Sequence, residues 1–387
     1  MTGTRKAPDE VYLDHTATSP LRPEALEAMR PWLDGPTGNP SSVHSSGVRA
    51  RAALDDARAR VAATVGARPE EIVFTSGGTE ANNLAVLGAA RAGAVRHIVT
   101  SSIEHPSVSR AVEFLEAGGC TVDRIDPDDD GVVRSANFLS AISDSIEKDR
   151  PVLATLQWIN HETGAMHDVG RIAASARRGP FHVDAAQAIG RVPIDLRRTP
   201  IDLLTWTAHK IGGPVGIGAL FRRADTPLQA LSYGGSQEHD LRAGTPSVAL
   251  AVGFAVAMEL STRDRETFEA AHRRHRERVV AFVNERFADA TIVARDGAHP
   301  STVCLAFPNV DREALLVHLD LDGVRVSSGA ACASGTPGPS PVLRAMRLDE
   351  RRAAGAIRVS FGPSTSDDHV ARFLAALERA IDRARCG

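Results

Sequence analysis

The 387-residue chain predicts an α/β fold, with a large domain built on a mixed, mainly parallel sheet and a smaller α+β domain. Three observations carry this. Short β-rich runs alternate with Ala- and Arg-rich helical stretches through the first two-thirds of the chain. Most of those runs are apolar throughout rather than alternating, which suits strands covered on both faces. After about Ser247 the rhythm changes to a long charged helical stretch and widely spaced strands. The expected division is residues 20–255 for the large domain, with 1–19 and 256–387 forming the smaller one.

Taken in order, Val48–Val65 reads as a helix, Ile72–Thr75 as a strand and Glu80–Arg91 as a helix. The runs His97–Thr100, Val152–Trp158, Phe181–Val183 and Leu203–Trp206 continue the strand series. Val248–Met258 is the longest apolar stretch. It falls well short of the ~20 residues that span a bilayer, so it reads as a buried helix. Glu266–Arg286 is helical and highly charged, and strands are expected at Thr302–Phe307, Val324–Ser327 and Ile357–Phe361. An amphipathic helix over Asp367–Arg383 closes the chain. No internal repeat or long linker interrupts it.

Composition narrows the function. Lys and Arg total 45 against 48 Asp and Glu, a net charge of −3, so no broad basic surplus argues for direct nucleic-acid binding. The N-terminal MTGTRKAPDE contains no apolar run of the signal-peptide kind, and no membrane association is expected. Cys120, Cys304, Cys332 and Cys386 are far apart and form no CxxC pair. That spacing suits neither a disulfide framework nor a metal site, and a reducing cytoplasmic setting is the expectation.

Four segments carry candidate chemistry. Thr75-Ser76-Gly77-Gly78-Thr79-Glu80 joins a strand to a helix, where glycines and a helix N-terminus can receive an anion. Alone it reads first as an ordinary strand-to-helix turn with Thr79 as N-cap. His182-Val183-Asp184-Ala185-Ala186-Gln187 ends a strand with a carboxylate that is costly to bury without a cation. A protonated pyridine nitrogen is one such cation, and helix capping is the alternative. Thr207-Ala208-His209-Lys210 places a lysine between a β-run and a Gly/Pro turn, as a Schiff-base lysine or an ordinary surface one. Finally, residues 327–340, SSGAACASGTPGPS, have the composition of a mobile loop carrying one thiol. That thiol is either a nucleophile able to move between two places or an incidental cysteine.

Together these segments resemble the cysteine desulfurases of the NifS/IscS branch, pyridoxal-phosphate enzymes of fold type I. The resemblance runs from about Val11 to Arg383, through YLDHTATSP, GNPSS, EIVFTSGGTEANNLA, SSIEHPSV, INHETG, HVDAAQAIGRVPIDL, TAHKIGGPVGIGAL, LRAGTPS, SSGAACASG and AIRVSFG. It implies pyridoxal 5'-phosphate linked to Lys210, Asp184 on the pyridinium nitrogen and Gln187 on the phenolic oxygen. It further implies that Gly78, Thr79, Thr207 and His209 hold the phosphate, with Thr245 reaching the phosphate of the other subunit in a homodimer. His105 is expected to stack on the ring and move protons, Arg358 to grip the substrate carboxylate with Asn39 and Asn160 beside it, and Cys332 to take the sulfur. The implied activity converts L-cysteine to L-alanine and passes sulfur to an acceptor protein. An iron–sulfur scaffold, tRNA thiolation machinery and DNA phosphorothioation machinery are the implied acceptor classes.

One position departs from the family pattern. Two asparagines usually precede Glu-X-Gly, whereas this chain reads Asn160-His161-Glu162-Thr163-Gly164, so an imidazole occupies a cofactor- or substrate-facing slot. The rival activities are a selenocysteine lyase, a cysteine or cystine C–S lyase that stores no sulfur, and a sulfur-relay component valued for docking. A thiol in the Cys332 loop argues against the C–S lyase, and the full set of cofactor residues against the relay.

Overall fold

The computed structural model describes residues 10–35, 38–147, 151–175, 179–329 and 340–386. Cys332 lies outside them. The N-terminal segment opens with β1 (Val11–Tyr12). Seven further strands follow: β2 (Ile72–Thr75), β3 (His97–Ser101), β4 (Thr121–Ile125), β5 (Val152–Gln157), β6 (Phe181–Asp184), β7 (Leu203–Thr207) and β8 (Gly218–Arg222). They form one sheet in the order β2-β8-β7-β6-β5-β3-β4. Its neighbours are parallel except where β8 runs antiparallel to β7 and β2.

Both faces of this sheet are covered, which is why its strands read as continuous apolar runs. On one face Val73, Ile98, Leu153, Leu203 and Leu220 pack against Ala81, Leu84 and Ala85 of the helix Gly78–Ala92. On the other, Phe74, Val99, Leu156, Val183, Trp206 and Phe221 meet Leu54, Val61, Ile172, Phe254 and Met258.

A second core lies around β9 (Thr291–Val293), β10 (Thr302–Ala306), β11 (Val324–Arg325) and β12 (Ala356–Ser360). The order β12-β10-β9 is antiparallel, and β11 pairs in parallel with β1. Leu13, Val303, Leu305, Ile357, Val359, Phe361 and Phe373 fill it.

The stretches expected as two helices are a single helix, Val248–Arg286, so the expected boundary after residue 255 falls inside one element. No glycine or proline lies between Met258 and Glu266 to stop it. Its first half buries Phe254 and Met258 in the large core, and its second half buries Val279 and Val283 in the small one. No helix among the described residues is long and apolar enough to cross a membrane.

Parallel pairing gathers the carboxyl ends of β5, β6 and β7 at one edge, where Gln157 stands opposite Asp184 and Asp184 opposite Thr205. Thr75 and Thr207 both face Gly218. A Cβ at Gly218 would stand 2.7 Å from the Gly77 carbonyl carbon, so this glycine lets the turn after β2 settle against β8. In open α/β sheets that edge is where ligands bind.

Candidate active site

Lys210 leaves β7 on a short 3₁₀ turn, Ala208–Ile211, closed by Gly212 in the left-handed region (φ 78°). Its Nζ donates to the carbonyls of Thr16 (2.5 Å) and Ala17 (2.9 Å). These belong to the N-terminal strap, which continues from β1 and hydrogen-bonds the small sheet through Leu13, Thr16 and Ser360.

Asp184 ends β6, buried. Its Oδ1 accepts the Ala186 N–H (2.9 Å) and its Oδ2 accepts Asn82 Nδ2 (2.8 Å). The capping and cofactor readings of this carboxylate are therefore compatible, because each oxygen keeps a second lone pair. Asp184 forms no ion pair among the described residues. Asn82 also donates to Ser107 Oγ (2.8 Å) and accepts from Thr205 Oγ1. Ser107 in turn supplies its N–H (3.1 Å) and its hydroxyl (2.7 Å) to Nδ1 of His105, the N-cap of the helix Pro106–Ala117. A ring that accepts a backbone N–H on Nδ1 carries its proton on Nε2 when neutral. Burial, and then Lys210, hold the His105 pKa below its ordinary value against the pull of Asp184.

Arg358, on β12, is 2% exposed. Its Nη2 donates to Asp14 Oδ1 (2.7 Å), and its Nη1 to the carbonyls of His161 (2.6 Å) and Gly329 (3.0 Å). Its Nε has no partner among the described residues. The same residue exchanges backbone bonds with Ser327, so the stem of the 327–340 segment is anchored at Arg358. His161 packs edge-on against His105, with ring centroids 5.1 Å apart at 77°. Burial, then His105, Arg358 and Lys210, push its pKa well below the ordinary value, and its Nδ1 is buried without a partner among the described residues.

Gln187 donates from Nε2 to the Thr16 carbonyl (3.0 Å) and accepts on Oε1 from Arg191 Nη1 (2.5 Å). The helix begins at Gly78 with Gly77 as N-cap, so Thr79 is its second residue rather than the cap. Gly78 abuts Thr207, whose hydroxyl donates to the Ile217 carbonyl (3.2 Å). His209 Nδ1 lies 3.1 Å from Thr18 Oγ1, and burial followed by Lys210 brings its pKa down to about 4. Asn160 accepts on Oδ1 from Glu162 and Thr163 and donates to the Ile103 carbonyl (3.3 Å), holding the 160–164 turn. Asn39 and Thr245 are exposed, and neither hydrogen-bonds the groups around Lys210 among the described residues.

Asn82, Thr16 and Arg191 were not singled out by the sequence. Asn82 alone left a signal, as a polar side chain on the buried, Ala- and Leu-rich face of its helix.

The donor set fits a phosphorylated pyridine aldehyde. A buried carboxylate that forms no ion pair among the described residues lies one strand away from the β7–Lys210 turn, and a helix N-terminus abuts Thr207 beside it. Residues 11–373 match the family Aminotransferase class-V. The chain belongs to that family. Among class-V relatives, it is 42% identical to a protein of Cereibacter sphaeroides named cysteine desulfurase, across 97% of both chains. A solved NifS-like protein superposes with a TM-score of 0.88 at 30% identity, covering 97% of this chain and 100% of that one. A structure described as SspA in complex with cysteine gives 0.78 at 33%, covering 92% and 99%. The fold-type-I architecture expected from the motifs is thereby borne out.

Proposed function

We propose that this class-V chain is a pyridoxal-phosphate-dependent cysteine desulfurase that converts L-cysteine to L-alanine and leaves the sulfur as a persulfide on Cys332. The observation that carries the reading is that Asp184, which forms no ion pair among the described residues, and Lys210 stand at the ends of the neighbouring strands β6 and β7 on one sheet edge. Relatives named cysteine desulfurase give it the substrate.

Asp184 would hold the ring nitrogen, Gln187 the phenolic oxygen, and Gly78, Thr79, Thr207 and His209 the phosphate, with Thr245 contributed by a second copy. When bound, the cofactor supplies an electron sink that makes the substrate Cα proton acidic. Lys210 would link the cofactor aldehyde, and its amine is the group placed to carry that proton. Arg358 fixes the substrate carboxylate by its planar guanidinium, with Asn39 and Asn160 beside it. His105 holds its transferable proton at Nε2, and His161 keeps a second neutral imidazole against it. The Cys332 thiolate attacks the substrate sulfur: the Cβ–S bond breaks, an S–S bond forms, and Cβ takes a proton. Cysteine plus enzyme thiol thus gives alanine plus enzyme persulfide, with no outside oxidant. An acceptor protein removes the terminal sulfur.

The test is turnover of L-cysteine without reductant, followed by mass spectrometry of the enzyme and assay of alanine. One sulfur atom added at Cys332, absent from Cys332→Ser, is expected, while the variant still binds cofactor and substrate. Full alanine production by Cys332→Ser would instead indicate a C–S lyase.

A further inference from the structure

We propose that Arg191 is a positioning residue for the cofactor, clamping the Gln187 amide so that its N–H₂ end faces the Lys210 side of the site. The inference rests on the pyridoxal-phosphate reading above. Arg191 follows the turn after β6, which Gly190 passes in the left-handed region (φ 70°). Its Nη1 donates to both the backbone carbonyl (3.1 Å) and Oε1 (2.5 Å) of Gln187. A guanidinium can only donate, so the amide end it touches is the oxygen. The Nε2 end then donates one proton to the Thr16 carbonyl, the acceptor it shares with Lys210 Nζ, and retains a second. Reversing the amide would set N–H₂ against the guanidinium and oxygen against the Thr16 carbonyl. Both contacts would be repulsive. Arg191 therefore makes Gln187 a donor toward a phenolic oxygen bound beside Lys210, as a neutral acceptor-or-donor amide alone would not.

The surroundings of Arg191 support a purpose beyond packing. It forms no ion pair among the described residues. The charges acting on it or felt from it are Arg358 of β12, His15 of the N-terminal strap, His272 of the long helix and His299 before β10, while Arg22, Arg265 and Glu269, the last paired with Arg273 at 2.8 Å, also line its cavity. Arg191, Lys210 and the three histidines line one cavity of about 40 Å³. Burial lowers the pKa of each histidine, so all three stay neutral and neither add to nor offset its charge. Burial, and then Arg358, bring the Arg191 pKa to about 10, which leaves it charged at neutral pH. A buried cation that forms no ion pair among the described residues is unfavourable, and an apolar side chain would fill the same space at less cost.

The experiment compares wild type, Arg191→Met, Arg191→Lys, Gln187→Ala and the double variant Arg191→Met/Gln187→Ala, each loaded with pyridoxal phosphate. The readouts are the dissociation constant of the cofactor and the pH midpoint of its visible absorption. Arg191→Met should weaken binding about tenfold and shift the midpoint in the direction that Gln187→Ala does. Arg191→Lys, which keeps one donor, should stay within about threefold of wild type. In the Gln187→Ala background, Arg191→Met should add nothing. Additive effects, or a wild-type midpoint in Arg191→Met while Gln187→Ala shifts, would overturn the clamp and leave the cofactor reading standing. A wild-type chain that binds no pyridoxal phosphate overturns both. Should Arg191→Met fail to fold, Arg191→Lys decides: a loss as large as that of Gln187→Ala overturns the clamp.

Discussion

Glu104 sits immediately before His105, 6% exposed, in a place where a carboxylate has little support. Its Oε1 accepts the Ser101 hydroxyl and the Gln157 N–H (3.2 Å), whereas Oε2 has no partner among the described residues. Burial, with a smaller push from the Asp184 charge, raises its pKa to about 8 from 4.5. The folded protein thus keeps Glu104 protonated at neutral pH, where the unfolded chain ionises it. Stability that is fully present below about pH 4.5 is lost as the pH rises toward about 8, on the order of a few kcal/mol in all. Glu104→Gln is neutral throughout, so it should gain on wild type steadily across that window. Urea denaturation of both proteins at about pH 5, 6.5 and 8 measures the gap. A gap that does not widen would mean that the carboxylate is ionised in the fold.

At the scale of elements, β2 is an edge strand, and one buried ion pair substitutes for its missing neighbour. Arg58, on the helix Ser45–Thr64, meets Glu238 through two bonds of 2.7 Å and donates to the Ile72 carbonyl (2.8 Å). Glu238 accepts the Phe74 N–H (2.7 Å), so the pair satisfies the strand edge from both sides. Arg58→Met would leave an unpaired buried carboxylate and should cost about 3–5 kcal/mol. Arg58→Met/Glu238→Gln keeps an acceptor for Phe74 without the charge and should recover most of the loss, read by the same denaturation curves. No sequence signal joins residues 180 positions apart. That is the general reason for what the sequence left unread. Strands β2, β3, β5, β6 and β7 were legible because both faces are apolar, and Lys210 and Asp184 because they sit where such runs end. The edge strand β4, Thr121-Val122-Asp123-Arg124-Ile125, is half exposed and carries three polar residues among its five, so it carried no such run. Thr16 acts through contacts made only when the strap folds back on the sheet, and Arg191 through a side-chain contact to Gln187 that no run or periodicity marks.

At the scale of the whole molecule, the long helix Val248–Arg286 fixes the small core against the large one, yet two expected site residues remain outside. Thr245 and Asn39 are exposed. The stretches that carry them adjoin, since Pro40, Ser41, Gln237, Glu238 and Pro246 line one surface cavity. Flanking those stretches, Val43 is 95% exposed and Tyr233 77% exposed, two apolar surfaces beside one cavity. A second copy of the chain covering this face would bury both and carry Thr245 toward the phosphate groups of its neighbour. The expected outcome is a dimer by light scattering, converted to a monomer by Val43→Asp/Tyr233→Asp. Because the Thr245 hydroxyl would supply one charge-assisted hydrogen bond to phosphate, the monomer should bind pyridoxal phosphate about tenfold or more weakly. Thr245→Val should lose as much while remaining a dimer. A monomeric double variant that retains wild-type cofactor affinity would show that each site is complete within one chain, and that Thr245 serves some other contact.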